Sequence, residues 1–383
     1  MRLAVVIVAA AIHIHSAACQ HTTTNTFTTD SSAYHSARID YAAVDSLLRR
    51  ASRQPLHHRI AKFFAIELHR DSTTYVRSCR VQLFPAYSSE LGWFIRSGIA
   101  IGTASRATLA AAVDYGFDGD YRILLAGANR LGLSNRITYD IEAFSLPVEF
   151  RGVDNRATNP QWYRRKEYIA SFRWRHSYLS HLFIGALFSF RTAKAEFALS
   201  ADYATATQIG FEWGYDSRNR EQNSERGLYL DLQHSAILLS EDRHHIAHHT
   251  LIMLRGYQPL WSGGCWASEL YAEFFTRNTP WLFAATTDGT HRLRAYAFGR
   301  YTGRVMLSLQ SELRQHLFGS LHIAMWGEVG ELAERLDKLG WRNILPSFGA
   351  GLRIDIGKTG RLRFDYAIGS RSTNFTVSFN EAF

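Results

Sequence analysis

Long apolar runs are missing from the interior of this 383-residue chain. No internal stretch of about 20 apolar residues offers a membrane-spanning helix, although the chain carries 9 Trp, 18 Tyr and 24 Phe. Cysteine is scarce as well. The three cysteines, Cys19, Cys79 and Cys265, lie far apart, which argues against a disulfide framework and against a zinc site built on paired thiolates. No Gly-x-Ser-x-Gly elbow of the hydrolase kind is present. The formal charge of +9 comes largely from arginines spread along the chain, with no basic helix and no recognition motif, so nucleic acid is not the expected partner. The run His244, His245, His248 and His249 invites a metal reading. In a strand, however, His244 and His248 would stand about 13 Å apart, too far to chelate one ion.

What the chain does contain is alternation. Val305, Leu307, Leu309 and Leu313 oppose Arg304, Ser308, Gln310 and Glu312. Phe348, Ala350, Leu352, Ile354 and Ile356 oppose Gly349, Gly351, Arg353 and Asp355, and Leu362, Phe364, Tyr366 and Ile368 oppose Arg361, Arg363 and Asp365. Upstream, Ile209, Phe211, Trp213 and Tyr215 oppose Gly210, Glu212, Gly214 and Asp216. A period of two is the signature of strands with one apolar and one polar face. Segments of roughly 9 to 11 such residues suit a tilted crossing of a bilayer, apolar side out and polar side toward a lumen. Residues 374–383 carry the pattern to the terminal Phe383, as expected of a last strand closing a barrel.

Residues 1–20 read as a secretory signal: an early Arg2, an apolar core from Leu3 to Ile12 too short to span, and the small residues Ser16, Ala17 and Ala18 before a cleavage point. The following Cys19 offers lipidation, against which stands Ser16 where lipoprotein signals carry a larger aliphatic residue. Residues 21–77 form a linker and a short periplasmic or plug segment. Its first part is rich in Thr and Ser, and the mixed apolar spacing over 38–53 and 59–70 is read as one or two short helices, with a first strand beginning near Ile60 as the alternative.

From residue 78 onward, sixteen strands are expected, an even number as a closed bacterial barrel requires. They cover 78–87, 91–103, 107–117, 121–131, 134–146, 163–175, 179–191, 205–216, 226–238, 245–257, 265–276, 304–313, 319–329, 347–356, 360–369 and 374–383. The long connections 147–162, 277–303 and 330–346 then share one end. The fold class is all-β: a 16-stranded antiparallel transmembrane β-barrel spanning 78–383, preceded by a partly helical or disordered segment.

Leu293 to Gly303 reads LRAYAFGRYTG, followed by VMLSLQSELR and by MWGEVG at Met325 to Gly330. This set resembles the barrel domain of the BamA and TamA type outer-membrane proteins, the bacterial surface antigen family. There a loop carrying Val/Leu-Arg-Gly-Phe/Tyr folds into the lumen, and its Arg pairs with acids on the next two strands. The resemblance makes Leu293, Ala295 and Tyr296 the loop motif, and Arg294, Glu312 and Glu328 a structural lumen lock. Tyr215 to Arg218 with Arg226 to Tyr229, and Arg361 to Tyr366, resemble two further family signatures. Two departures stand out, Ala295 for the loop Gly and Glu328 for the usual Asp. The 57 residues of 21–77 leave no room for the family's periplasmic POTRA domains.

The resemblance implies a barrel acting in protein insertion or translocation, surrounded by outer-membrane lipids and handling unfolded outer-membrane proteins, without catalysis and without a cofactor. A passive or gated pore is the alternative, and an enzyme acting on lipid with a Ser and one of the 17 His is a third. Pro85, in the first barrel strand, lacks a ladder donor. It either weakens a seam with the last strand, where Val81 and Ser378 would be neighbours, or simply ends a short strand.

Overall fold

The computed structural model describes residues 65–69, 76–88, 91–103, 108–132, 134–151, 160–240, 246–356, 360–370 and 372–383. The signal segment, Cys19, the linker, residues 38–53, and His244 and His245 lie outside them. The strands are β1 Ala65–His69, β2 Val76–Ser88, β3 Gly92–Thr103, β4 Thr108–Gly116, β5 Tyr121–Leu131, β6 Asn135–Phe150, β7 Gln161–Ser177, β8 Leu182–Glu196 and β9 Ala201–Asp216. They continue with β10 Gly227–Leu239, β11 Ala247–Pro259, β12 Gly264–Phe275, the two-residue pair β13 Ala285–Thr286 and β14 Thr302–Gly303, then β15 Val305–Phe318, β16 Leu321–Ala333, β17 Leu345–Ile356, β18 Gly360–Gly369 and β19 Thr373–Phe379.

Setting aside β1, β13 and β14, sixteen strands run antiparallel to their chain neighbours from β2 to β19. Side-chain alternation assigns the two faces. Ile209, Phe211, Phe348, Leu352 and Tyr366 stand exposed on the outside, while Glu212, Glu269, Glu312, Arg353 and Asp365 are buried within. An apolar belt of this extent on a strand cylinder belongs against hydrocarbon, and the polar face belongs to the lumen. The expected 16-stranded antiparallel barrel is the fold observed, with eight of the strands two to four residues longer than the sequence pattern suggested and three shorter.

Three expectations are corrected. The last strand ends at Phe379, not at Phe383, because Asn380 takes a φ of +60° and turns the chain inward. Continuing the strand would put Glu381 on the lipid parity, where a carboxylate is costly. The turn reverses the parity, so Glu381, Ala382 and Phe383 are all buried. Phe383 therefore does not face lipid; its ring lies 6.4 Å from that of Tyr257 in the interior.

Ala65–His69, inside the segment read as helix, is a strand that pairs antiparallel with Ser78–Gln82. Val81 accordingly faces Ile66 and not the last strand. The reason is length: β2 has 13 residues and β19 only 7, so part of the β2 edge extends beyond the last strand. An unpaired edge is readily capped by another strand. Nearer the other end of β2, the rings of Tyr87 and Phe375 meet at 6.0 Å across the seam. Pro85 does not end its strand, which continues to Ser88, and it sits opposite Ile95.

The connection between β12 and β15, residues 276–304, enters the barrel and packs on both sides of it. Leu282 and Phe283 cluster with Val148, Tyr163, Ala204 and Ile237 on the β6 to β10 wall. Leu293, Ala295 and Tyr296 cluster with Tyr271, Met306, Trp326 and Ala367 on the β12 to β18 wall. At the opposite end, the connection 217–226 folds inward to meet the tail, where Glu381 N donates to Asn223 Oδ1 at 3.1 Å.

Candidate functional site

The buried charges of the lumen concentrate where loop 276–304 meets β15 to β19. Arg294 Nη1 donates to Glu312 Oε2 at 2.8 Å and to Asp365 Oδ2 at 3.2 Å. Its Nε lies 3.7 Å from Glu328 Oε1. Glu328 serves mainly as a backbone clamp, accepting the Leu293 N–H at 2.8 Å, the Arg294 N–H at 2.6 Å and the Ser347 hydroxyl at 2.7 Å. One carboxylate thus holds two successive loop amides, which fixes the loop backbone as well as its charge. The guanidinium carbon of Arg294 lies 3.8 Å from the Trp326 ring centre, a cation–π contact on the next lumen-facing position of β16.

The three expected residues therefore lie together, within a larger network that sequence reasoning missed. Arg353 bridges Asp365 at 2.5 Å and Glu381 at 2.9 Å. Arg314 donates to Glu312 Oε1 at 2.7 Å and to the Phe383 oxygen at 3.0 Å. Arg361 reaches Glu381 at 2.8 Å, and Asn374 Nδ2 donates to the carbonyls of Arg294 at 2.8 Å and Gly289 at 2.9 Å. Strand parity could have found Arg314, Arg353, Asp365 and Asn374, which share the polar faces of their strands. Glu381 was hidden, because its face depends on the backbone reversal at Asn380. In the tail, burial alone would push the Glu381 carboxyl up, but Arg314, Arg353 and Arg361 hold it well below the usual carboxylate range.

The loop motif folds differently from its expected logic. Leu293, not Ala295, takes the left-handed conformation, with φ +50°. Ala295 has its N–H on the Ser347 hydroxyl at 3.1 Å and needs no glycine-like angle. Tyr296 donates its hydroxyl to the Pro346 carbonyl at 2.8 Å. The other family-like signature closes on itself: Arg218 grips Asp216 through two bonds of 2.9 and 2.8 Å and lies 4.0 Å from the Tyr229 ring. The two described histidines of the His run are taken by neighbours, His248 stacking on His234 and His249 placing Nε2 2.9 Å from Glu273. Cys265 is a buried free thiol.

The model of the Omp85 superfamily domain matches residues 125–383, two thirds of the chain and every strand that carries the cluster. This chain belongs to the Omp85 superfamily. The BamA/TamA resemblance drawn from the loop and strand motifs is in accord with that membership. Among solved structures, this Omp85 barrel is similar to BamA from Haemophilus ducreyi lacking POTRA domains 1–3, at 13% identity and a TM-score of 0.56 over 88% of this chain and 81% of that one. It is also similar to CdiB from Acinetobacter baumannii, at 10% identity and a TM-score of 0.56, over 81% of this chain and 60% of that one. At such identities the likeness is one of fold. No curated protein matches the sequence.

Proposed function

We propose that this Omp85 barrel acts in protein insertion or translocation at the bacterial outer membrane, on unfolded outer-membrane proteins, without catalysing a covalent reaction. The observation that carries the reading is the seam. The last strand has 7 residues against 13 in the first, while the other barrel strands run from 9 to 17. The seam pairs the shortest strand of the wall, and the β2 edge beyond it has taken up β1 as a further strand, so this edge is of the kind strands pair with. Pro85 in β2 further reduces what that edge can donate.

The Arg294, Glu312 and Glu328 cluster acts in this reading as a structural lock. It ties loop 276–304 to the strands that approach the seam, so the C-terminal half of the wall stays rigid while the seam yields. A passive pore is the weaker reading, because loop 276–304 packs on both walls and crosses the lumen. The test uses liposomes: purified protein should accelerate folding of an unfolded outer-membrane client, and Arg294→Ala, at matched folded barrel content, should lose most of that acceleration. No acceleration by wild type would overturn the proposal and point to conductance measurements.

A further inference from the structure

One part of the lumen is neither plugged nor neutral. At the short-turn end, between the β5 to β9 wall and the connection 217–226, lies a cavity of about 620 Å³. Its lining includes Arg130, Arg136, Arg173, Arg175, Arg218 and Arg220, against the carboxylates of Asp216 and Glu221. Two of these arginines are committed: Arg175 is held in a fork by Glu212 at 2.9 and 3.0 Å, and Arg218 is held likewise by Asp216. The others are under-neutralised. Arg130 and Arg136 share the single carboxylate of Glu221. Arg173 donates no hydrogen bond among the described residues, its Nε standing 3.6 Å from the already occupied Glu212. Arg220 stands 3.7 Å from Glu225.

We infer that this vestibule is a binding site for a small anion carrying two or more phosphate groups. The excess guanidinium groups come from two directions, Arg130, Arg136 and Arg173 from the strands and Arg220 from the connection, so an anion with several charged groups would bridge them where a single phosphate could not. Guanidinium forks match phosphate oxygens two at a time, and low-dielectric walls concentrate the positive field inside a cleft. Ser134, Asn135 and Ser177 on the same lining add neutral donors. The volume suits a headgroup-sized molecule and not a polymer. This site is separate from the lock and independent of the insertion reading. Its ligand is either a soluble oligophosphate or the phosphorylated headgroup of a lipid.

The direct test is calorimetric titration of the purified barrel in nonionic detergent with sodium tripolyphosphate. Saturable binding at one site per barrel is expected, weakened about tenfold by Arg173→Gln and more by Arg136→Gln with Arg173→Gln, each lost charged contact contributing roughly one decade. Arg173→Lys should recover only part of the loss, since ammonium keeps charge but not the fork. Arg335→Gln, on an exposed connection at the other end of the barrel, should leave affinity unchanged. Heat-modifiable mobility in gels confirms that each variant is folded. Absence of saturable binding, or equal affinity in wild type and the double variant, would overturn the site. Repeating the titration in phosphatidylcholine nanodiscs with and without diphosphoryl lipid A, whose headgroup carries two phosphates, separates the two sources: competition by the lipid assigns a headgroup, and unchanged affinity assigns the soluble anion.

Discussion

At Gly369 the missing side chain is what admits the loop. A Cβ there would stand 2.8 Å from Tyr296 Cζ and 3.0 Å from Ala295 Cβ. The larger Ala295 of this chain is therefore accommodated on the facing strand and not by loop backbone freedom. Gly369→Ala should destabilise the barrel by about 1 to 3 kcal/mol through overpacking. Adding Ala295→Gly should restore part of that loss, whereas Ala295→Gly alone should change stability by less than about 1 kcal/mol. Urea titrations followed by heat-modifiable mobility give the cycle, and strict additivity of the two changes would refute the contact. Arg294→Ala is a harsher change. It strips Glu312, Glu328 and Asp365 of their shared cation in a site where Arg294 is 1% exposed, and it should cost about 3 to 5 kcal/mol. Glu328→Gln keeps one carbonyl acceptor for the loop amides and should cost clearly less. The pair Arg294, Glu312 was legible in the sequence because motif and strand parity agree on it. Leu293 with positive φ was not, since nothing in a leucine announces a left-handed backbone; its side chain, fully buried among Tyr271, Met306 and Trp326, offsets the strain.

At the scale of strands, period-two alternation located the sixteen barrel elements because each has an apolar face toward lipid and a polar face toward the lumen. The same rule failed at the two ends of the chain's sheet. Residues 65–69 carry too few alternations to choose between helix and strand, and their pairing is decided by an edge that β19 leaves uncovered. Residues 380–383 break the alternation in sequence, with Glu381 on the apolar parity, and one backbone angle at Asn380 transfers Glu381 to the lumen. Asn is among the residues that tolerate that angle. Asn380→Gly should therefore be nearly neutral, while Asn380→Val should cost about 1 to 2 kcal/mol, with the loss read as a lower urea midpoint. Equal stability of both variants would mean the turn does not constrain the tail. The placement of β1 has its own test, since Leu68 is the register partner of Cys79. In a Leu68→Cys variant of the full chain, mild oxidation should link residue 68 to Cys79, facing Cα atoms in a ladder being close enough for a disulfide. Peptide mapping that finds residue 68 unlinked, or linked elsewhere, would remove β1 from the β2 edge.

For the whole molecule, the question is what the lumen can pass. Loop 276–304 is held at both sides of the barrel. Arg165 Nη2 donates to the Leu282 carbonyl at 2.6 Å on one wall, and Asn374 and Glu328 hold residues 289–294 on the other. Arg300 ties the two together, 3.4 Å from Glu149 on β6 and 3.0 Å from the Ser372 hydroxyl beside β19. A segment fixed at so many points cannot swing aside thermally without breaking several buried charged contacts, each a few kcal/mol. The wild-type barrel in planar bilayers should accordingly show little steady conductance. Replacing residues 288–300 by a short Gly-Ser linker should open a persistent pore while leaving the strand ladders intact, and it should also lower stability by removing Arg294. Comparing the linker variant with Arg294→Ala separates the two effects: loss of the lock alone loosens the loop and gives intermittent openings, whereas loss of the loop gives continuous current. A wild-type barrel that conducts as well as the linker variant would show that the loop does not obstruct the lumen, and the pore reading would then displace insertion.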